Sequence, residues 1–446
     1  MKYFGTDGIR GVVGDTLTPK LAYNVGRSLA SFFGAKTNAI IGIDTRVSGN
    51  LIMLSLSAGL VEGGVNVKFV GVVSTPALAF LTRSQPFDFG IMITASHNPP
   101  EYNGIKIFNS SGEKLEEQTE QEIERLITLK NFADTNNLQF GEFKQSKQLV
   151  NKYINYLVMF AESLTNFQQK ICIDCANGAS SKIVKKLVKR LNLNAVVVNT
   201  SSNGLKVNKN CGSTNLTKLC ELTKNKHFSA IYSFDGDADR ILTIDENGKV
   251  HDGDDIIYAI ALNLKEQNKL NKNKVVATEI SNFGLDATLK NKGICVERVK
   301  NGDFNVYCCL KQNNLCFGGE RTGHLIYTPH ISSGDGVYIM LKLLKIMQAE
   351  NKKFSTLFSG LKKFSLIERN IKVSRVQKER LFNSIDFKKF VYSCDELLIK
   401  DGRLLVRPSG TENVVRVLVE CKSEEKARDI ANDISNYIDK FCNNYT

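Results

Sequence analysis

A similar order of elements occurs three times along this chain, and that recurrence limits the fold more than any single motif does. An apolar strand at 39–43 is followed by a helix at 51–62, a strand at 65–70 and a strand at 90–93. A strand at 171–174, a helix at 181–191 and strands at 195–198 and 230–234 repeat the order. A compressed third copy reads as strand 275–277, helix 284–289, strand 294–296 and strand 315–317. Alternation of this kind predicts α/β units rather than separate blocks of helix and strand. Each copy's last strand runs into a polar loop: Thr94-Ala95-Ser96-His97-Asn98-Pro99, then Asp235-Gly236-Asp237-Ala238-Asp239-Arg240, then Gly319-Glu320-Arg321-Thr322-Gly323-His324. Because ligands of α/β sheets bind at the carboxyl ends of strands, three equivalent loops predict three related domains facing one cleft.

The polar stretch 126–147 is expected to carry the last helix and linker of the first unit. After Lys363 the pattern changes. Strands are expected at 397–400, 403–407 and 414–419, then a helix at 424–441. The predicted fold class is therefore α/β, with three related mixed-sheet domains at 1–150, 151–252 and 253–366. A small α+β domain follows at 367–446.

Hydrophobic residues make up 42% and charged residues 24% of the 446, which excludes a disordered chain. No apolar run reaches the ~18–20 residues that span a bilayer. The polar, glycine-rich N-terminus lacks a signal-peptide core, so a cytoplasmic protein is expected. The eleven cysteines all fall between Cys172 and Cys442 and read as reduced thiols. Cys172 and Cys175 form a C-x-x-C without the second pair that zinc needs. A net charge of +13 asks for an anionic partner. Nucleic acid is one such partner, although the lysines do not cluster with aromatics. A small anionic substrate steered into a basic cleft fits equally well, and composition does not choose.

The acidic loop is the most informative. Asp235, Asp237 and Asp239 alternate after a strand, so three carboxylates can converge on one hard divalent cation. An EF-hand reading fails because Arg240 stands where its glycine is required and because 241–244 looks like a strand. So few protein ligands suit Mg²⁺ with phosphate completing its shell; a solvated turn is the alternative. Ser96 stands at a strand-to-loop turn, where it is either a capping hydroxyl or, given a metal loop nearby, the carrier of a phosphate that His97 contacts. Arg407-Pro408-Ser409-Gly410-Thr411-Glu412 resembles an anion cradle, which Arg416 on the next strand can extend; a plain hairpin is the alternative. Glu320, Thr322 and His324 suit hydrogen bonding of sugar hydroxyls or an amine, against a solvated hairpin loop. The segment Phe4-Gly5-Thr6-Asp7-Gly8-Ile9-Arg10-Gly11 either wraps a ligand or forms a first hairpin. Lys106 is a candidate acid/base, against the usual solvated lysine. No Walker A, H-E-x-x-H or G-x-S-x-G motif occurs, which removes support for ATP-driven transfer, zinc hydrolysis and lipase-type chemistry.

The ordered set FGTDGIRG (4–11), TASHNP (94–99), DGDADR (235–240), GERTGH (319–324) and RPSGTE (407–412) resembles the α-D-phosphohexomutase superfamily over essentially the whole chain. The opening KYFGTDGIRG and the closing SGTE are similar to its phosphoglucosamine mutase branch. Further agreement lies in DTRVSG (44–49), DCANGA (174–179) and NCGST (210–214). This resemblance implies a cytoplasmic isomerase that interconverts glucosamine 6-phosphate and glucosamine 1-phosphate through a phosphoserine and a bisphosphate. Such an enzyme feeds UDP-N-acetylglucosamine and cell-wall precursor synthesis; phosphomannomutase or phosphoglucomutase activity is the alternative. It implies one Mg²⁺ per chain, a hexose bisphosphate activator, a phosphosugar substrate, no nucleic-acid or membrane partner, and a monomer or homodimer.

By position, Ser96 is then the phosphoserine, and Asp235, Asp237 and Asp239 hold the metal against its phosphate. Arg10, His97, Lys106, Arg240 and His324 serve catalysis. Glu320, Thr322, Lys300, Arg407, Ser409, Gly410, Thr411 and Arg416 bind substrate. Thr322 in place of serine, Asn413 in place of proline, and Phe304 in place of arginine depart from the family pattern and bear on substrate preference.

Overall fold

The computed structural model describes residues 3–5, 7–130, 132, 139–399, 401–409 and 413–443. They fall into two compact bodies, Met1–Glu279 with Glu297–Ser359, and Ile280–Val296 with Gly360–Thr446.

The first body repeats one device three times. Strand Phe89–Ile93 runs parallel to Asn38–Ile43, Ala230–Phe234 parallel to Ile171–Asp174, and Phe317–Gly319 parallel to Lys274–Thr278. An antiparallel strand then returns beside each: Tyr102–Asn109, Ile241–Asp245 and Leu325–Tyr327. The three polar loops are the connections between parallel and returning strands, at the carboxyl ends where α/β sheets place ligands. The first sheet has seven strands, with Gly8–Val12 paired to Tyr102–Asn109 near one edge. Its inner strands are continuous apolar runs, Ala39–Ile43 and Phe89–Ile93, because both faces are covered. The 241–245 segment is the expected strand, so the acidic loop has no EF-hand exit helix.

Helix Gly336–Glu350 is apolar on nearly every face and packs on Ala230–Phe234 and Ile241–Asp245. Of its two lysines, Lys342 and Lys345, the first is buried. Lys342 is 9% exposed, with its ammonium 4.7 Å from the centre of the Tyr327 ring. Burial, with Lys269 and Lys345 adding repulsion, pulls its pKa down from 10.5 to about 8. At pH 7 both folded and unfolded chains hold that proton, so the whole penalty is present. Between pH 8 and 10.5 the unfolded chain binds more protons, and stability rises with pH. Lys342→Met is therefore expected to raise the unfolding free energy at pH 7 by about 1–3 kcal/mol. Its advantage should shrink above pH 8, as denaturant melts at pH 7 and pH 10 would read.

In the second body, strands Ser365–Lys372, Val414–Cys421 and Gly402–Pro408 form one antiparallel sheet with Val414–Cys421 in the centre. Helix Glu424–Asn443 covers it with Ala427, Ile430, Ala431, Ile434 and Ile438. The strand expected at 397–400 is not formed over the described residues 397–399. That run follows helix Ile385–Glu396, and its backbone closes in turns, Leu398 N donating to Asp395 O at 2.8 Å and Gly402 N to Leu398 O at 2.8 Å. Lys400 lies outside the described residues. The third strand is instead Ser365–Lys372, whose alternating half-buried pattern is the ordinary mark of a strand with one wet face.

Candidate active site

Ser96 sits where a parallel strand gives way to its loop, in the left-handed region at φ +49°. For a residue with a Cβ this costs roughly 1–2 kcal/mol, so the surroundings must impose it. Thr94 begins to do so: its Oγ1 accepts from Ser96 N at 2.9 Å and donates to buried Asp44 at 2.7 Å. Ser96 Oγ then points out of domain-one sequence into the acidic loop, donating to Asp235 Oδ2 at 2.6 Å, with Asp239 Oδ1 at 3.5 Å. The Nδ1 of His97 lies 3.4 Å from the same hydroxyl. Burial, helped by the charges of Arg240 and Arg10, lowers the pKa of His97 to about 4, so its ring is neutral at pH 7.

The acidic loop is buried rather than solvated: Asp235, Asp237 and Asp239 are 0%, 0% and 4% exposed. One oxygen from each lies within 4.8 Å of the others. Asp237 Oδ1 is buried and has no hydrogen-bond partner among the described residues. An orphaned carboxylate oxygen beside two more carboxylates fits a hard divalent cation. Burial first, then the charges of Asp239 and Asp237, pushes the Asp235 carboxyl well up. Burial also works against Asp239, but Lys106, His324 and Arg240 overcome it and hold Asp239 low.

Lys106 is not a solvated lysine. It is 2% exposed, and its Nζ lies 3.0 Å from both Asp237 Oδ2 and Asp239 Oδ2 and 3.1 Å from Asp7 Oδ2. Burial favours the neutral amine, but the three carboxylates outweigh it and drive its pKa well up, leaving an ammonium. In this arrangement Lys106 is a fixed cation rather than a free base. The N-terminal segment forms a hairpin and also brings charged side chains to the acidic loop. Phe4–Gly5 pairs with Gly8–Ile9 as a hairpin, while Asp7 and Arg10 project into the site and pair with each other. Arg10 also donates to Asn98 Oδ1 at 3.3 Å.

The third loop meets the second. Ile241 N donates to Gly323 O at 3.1 Å, and Arg240 and His324 form a β-bridge. Gly323 has φ +89°, and a Cβ there would sit 2.1 Å from Ile241 O, so this approach needs glycine. His324 is 3% exposed, its Nε2 3.8 Å from Asp239 and 3.5 Å from Asp303, and neither ring nitrogen makes a hydrogen bond among the described residues. Glu320 is also buried and accepts from Gly302 N at 3.0 Å; Thr322 is exposed and donates to it at 3.3 Å. Lys300, at the start of the segment that supplies Gly302 and Asp303, is exposed.

Of the phosphate-cradle residues, Arg407 and Arg416 stand directly opposite each other on adjacent antiparallel strands of the second body. Opposed like charges on one sheet face disfavour each other unless an anion lies between them. Ser409 is buried and its carbonyl accepts from Lys378 Nζ at 2.9 Å. Gly410 and Thr411 lie outside the described residues.

Three contributors were missed in the sequence. Asp7 gathers Arg10, Lys106 and Lys114, and burial, though opposed to its charge, yields to those cations. Lys114 in turn bridges Asp7 and Asp303. Thr75, at the start of helix Thr75–Ser84, donates its hydroxyl to Asp237 Oδ2 at 2.6 Å and its amide to Asp237 O at 3.0 Å. Only Asp7 carried a signal, since it lies inside the quoted motif at 4–11.

Known proteins resemble this chain over nearly its whole length. Models of phosphoglucomutase/phosphomannomutase match in four consecutive parts: alpha/beta/alpha domain I over residues 1–134, domain II over 151–248, domain III over 252–364 and the C-terminal domain over 368–436. A phosphoglucosamine mutase of Alkaliphilus oremlandii is 38% identical, with 99% of this chain and 100% of the relative covered. One of Caldicellulosiruptor saccharolyticus is 40% identical, with 96% of each covered. Among solved structures, a phosphoglucomutase/phosphomannomutase family protein of Burkholderia thailandensis superposes with TM-score 0.83 at 23% identity, covering 99% of this chain and 97% of that one. An Aspergillus fumigatus N-acetylphosphoglucosamine mutase, solved with GlcNAc-6P and magnesium, gives TM-score 0.67 at 18% identity over 99% and 96%.

Proposed function

The chain belongs to the phosphoglucomutase/phosphomannomutase family, and on that footing we propose that it interconverts glucosamine 6-phosphate and glucosamine 1-phosphate. The observation that carries the reading is the Ser96 hydroxyl aimed at 2.6 Å into a buried triad of aspartates. The choice of the amino sugar rests on the full-length relatives that bear the name phosphoglucosamine mutase.

Charge arithmetic supports a phosphoserine paired with a divalent cation. Asp7, Asp235, Asp237, Asp239 and Asp303 face Arg10, Lys106, Lys114 and Arg240, so five formal negative charges meet four positive ones. A phosphate on Ser96 adds about two more negative charges, and a divalent cation restores the balance. Asp235, Asp237 and Asp239 would hold Mg²⁺ beside the Ser96 phosphate, where it would supply charge neutralisation to the transferring group. The Mg²⁺ complex of the Aspergillus relative accords with that choice.

The chain's own residues do the rest. Phosphorylated Ser96 gives its phosphoryl group to the free hydroxyl of the bound sugar phosphate: the phosphorus–Oγ bond breaks as the new phosphorus–oxygen bond forms, and the hydroxyl's proton ends on the freed Ser96 Oγ. The bisphosphate turns end for end, and Ser96 Oγ takes the other phosphoryl group. Transfers of this kind depend mainly on positioning and electrostatics, which Arg10, Arg240 and the ammonium of Lys106 provide. Neutral His97 is placed to hydrogen-bond at Oγ. Glu320, Thr322 and His324 orient the sugar, with Lys300 at the rim. Arg407, Ser409, Gly410, Thr411 and Arg416 hold the phosphate that is not reacting. No helix among the described residues is long and apolar enough to cross a membrane. A cytoplasmic location and a monomer or homodimer complete the proposed reading.

Turnover measured side by side on glucosamine 6-phosphate, glucose 6-phosphate and mannose 6-phosphate, with Mg²⁺ and a trace of hexose bisphosphate, tests the reading. The amino sugar should have the highest kcat/KM. A faster neutral hexose would move the chain to phosphoglucomutase or phosphomannomutase activity, and no turnover on any of the three would sink the proposal.

A further inference from the structure

We propose that Arg46, seconded by Asn208, is the positioning residue that aims Ser96 at the acidic triad; the inference rests on the phosphoserine reading above. Arg46 touches no reacting group, yet its side chain is completely buried at the back of the Ser96 loop. A guanidinium has five N–H donors in a rigid fork, and every one is used. Its Nε donates to Asp44 Oδ2 at 2.9 Å. Its Nη1 donates to Pro99 O and, at 2.9 Å, to Tyr102 O. Its Nη2 donates to Ser96 O at 2.9 Å and to Asn98 O at 2.8 Å. Four carbonyls of the segment 96–102 are thus turned inward onto one cation.

The Ser96 carbonyl has a second donor. Asn208 Nδ2, arriving from the 204–214 segment that borders the acidic loop, lies 2.7 Å from Ser96 O and 3.2 Å from Asn98 O. The approach is close: a Cβ on Gly236, inside the acidic loop, would lie 2.7 Å from Ser96 O and 3.0 Å from Asn208 Nδ2. With its carbonyl held from two sides and its amide held by Thr94, Ser96 keeps the left-handed conformation that directs Oγ toward Asp235. Asp44 is part of the same device, since it receives both Arg46 and Thr94. Lysine at 46 keeps the charge but presents one compact ammonium in place of the fork.

The test uses the full chain as wild type, Arg46→Lys and Asn208→Ala. Steady-state kinetics on glucosamine 6-phosphate are read beside the rate at which hexose bisphosphate phosphorylates Ser96, followed by intact mass. Misplacement of a reacting oxygen by about 1 Å costs about 100-fold, so Arg46→Lys should lower kcat by that order with KM within about threefold. Loss of one donor from two should cost Asn208→Ala about tenfold in kcat. Phosphorylation of Ser96 should slow in parallel. If Arg46→Lys fails the near-UV circular dichroism check for a native fold, Asn208→Ala decides alone. A well-folded variant with wild-type kcat overturns the proposal, as does a rise in KM that accounts for the whole loss. Wild type without turnover would sink the mutase reading instead, which keeps the two failures apart.

Discussion

Ser96→Ala is expected to lower mutase turnover by at least about 10⁴-fold while leaving the affinity for glucosamine 6-phosphate within a few-fold. The substitution is clean for a conformational reason. Alanine and serine bear similar strain in the left-handed region, so the loop's backbone at φ +49° is neither relieved nor burdened. What is lost is the oxygen. Glu320, Thr322 and His324, proposed to orient the sugar, lie on a different loop and do not hydrogen-bond to Ser96 Oγ. Asp235 Oδ2 does lose the donor it had at 2.6 Å, and a buried acceptor left without its partner costs about 1–3 kcal/mol. A modestly lower melting temperature is therefore expected alongside the catalytic loss. Calorimetric titration with glucosamine 6-phosphate separates binding from turnover. Residual turnover within tenfold of wild type would mean that no phosphoryl group passes through Ser96.

The candidacy of that oxygen is legible in the sequence because its setting is local. A strand, a hydroxyl and a proline-closed turn follow one another within residues 89–99, and three aspartates spaced by two need only one short loop to converge. Lys106 shows the opposite case. Its surroundings, Asp7, Asp237 and Asp239, are separated from it by about 100 residues or more in either direction, so the sequence offered only the average behaviour of lysine. The buried ammonium is a product of tertiary folding, and so are the links through Lys114 and Thr75. Near the C-terminus, local reading failed on its own ground. The apolar run 397–399 satisfies its backbone by turning after a helix, whereas the strand that does form, 365–372, mixes Glu368, Arg369 and Asn370 into its sequence because one face is wet. Propensity in a short window cannot separate those outcomes; the partner strand decides.

Asp235→Asn is expected to abolish most turnover without destabilising the metal-free protein, and that combination distinguishes an ion-binding carboxylate from a structural one. The three aspartates are not equivalent. Asp237 and Asp239 each have the Lys106 ammonium at 3.0 Å, so removing either takes one of three carboxylates from a buried cation. Among the described residues Asp235 accepts hydrogen bonds from neutral donors, the Ser96 hydroxyl at 2.6 Å and the Arg240 amide at 3.2 Å. Burial and the charges of Asp239 and Asp237 raise its pKa. An acid whose folded pKa lies above its unfolded value makes the fold lose stability as pH climbs from the unfolded pKa toward the folded one, so at neutral pH the penalty is present. The amide has no charge to penalise, and metal-free Asp235→Asn should melt at or above the temperature of metal-free wild type. Added Mg²⁺ reverses the order. At 100 times its Kd, a ligand that binds only the folded state stabilises wild type by about 2.7 kcal/mol. The variant, short of one anionic ligand, should gain far less. Turnover should fall by about 10²–10³-fold, the usual cost of weakening charge neutralisation at a transferring phosphoryl group. Thermal melts with EDTA and with a Mg²⁺ series, read beside turnover, check all three statements. A variant that melts lower without metal, yet keeps the full Mg²⁺ shift and its activity, would assign Asp235 to the scaffold and the cation to other ligands.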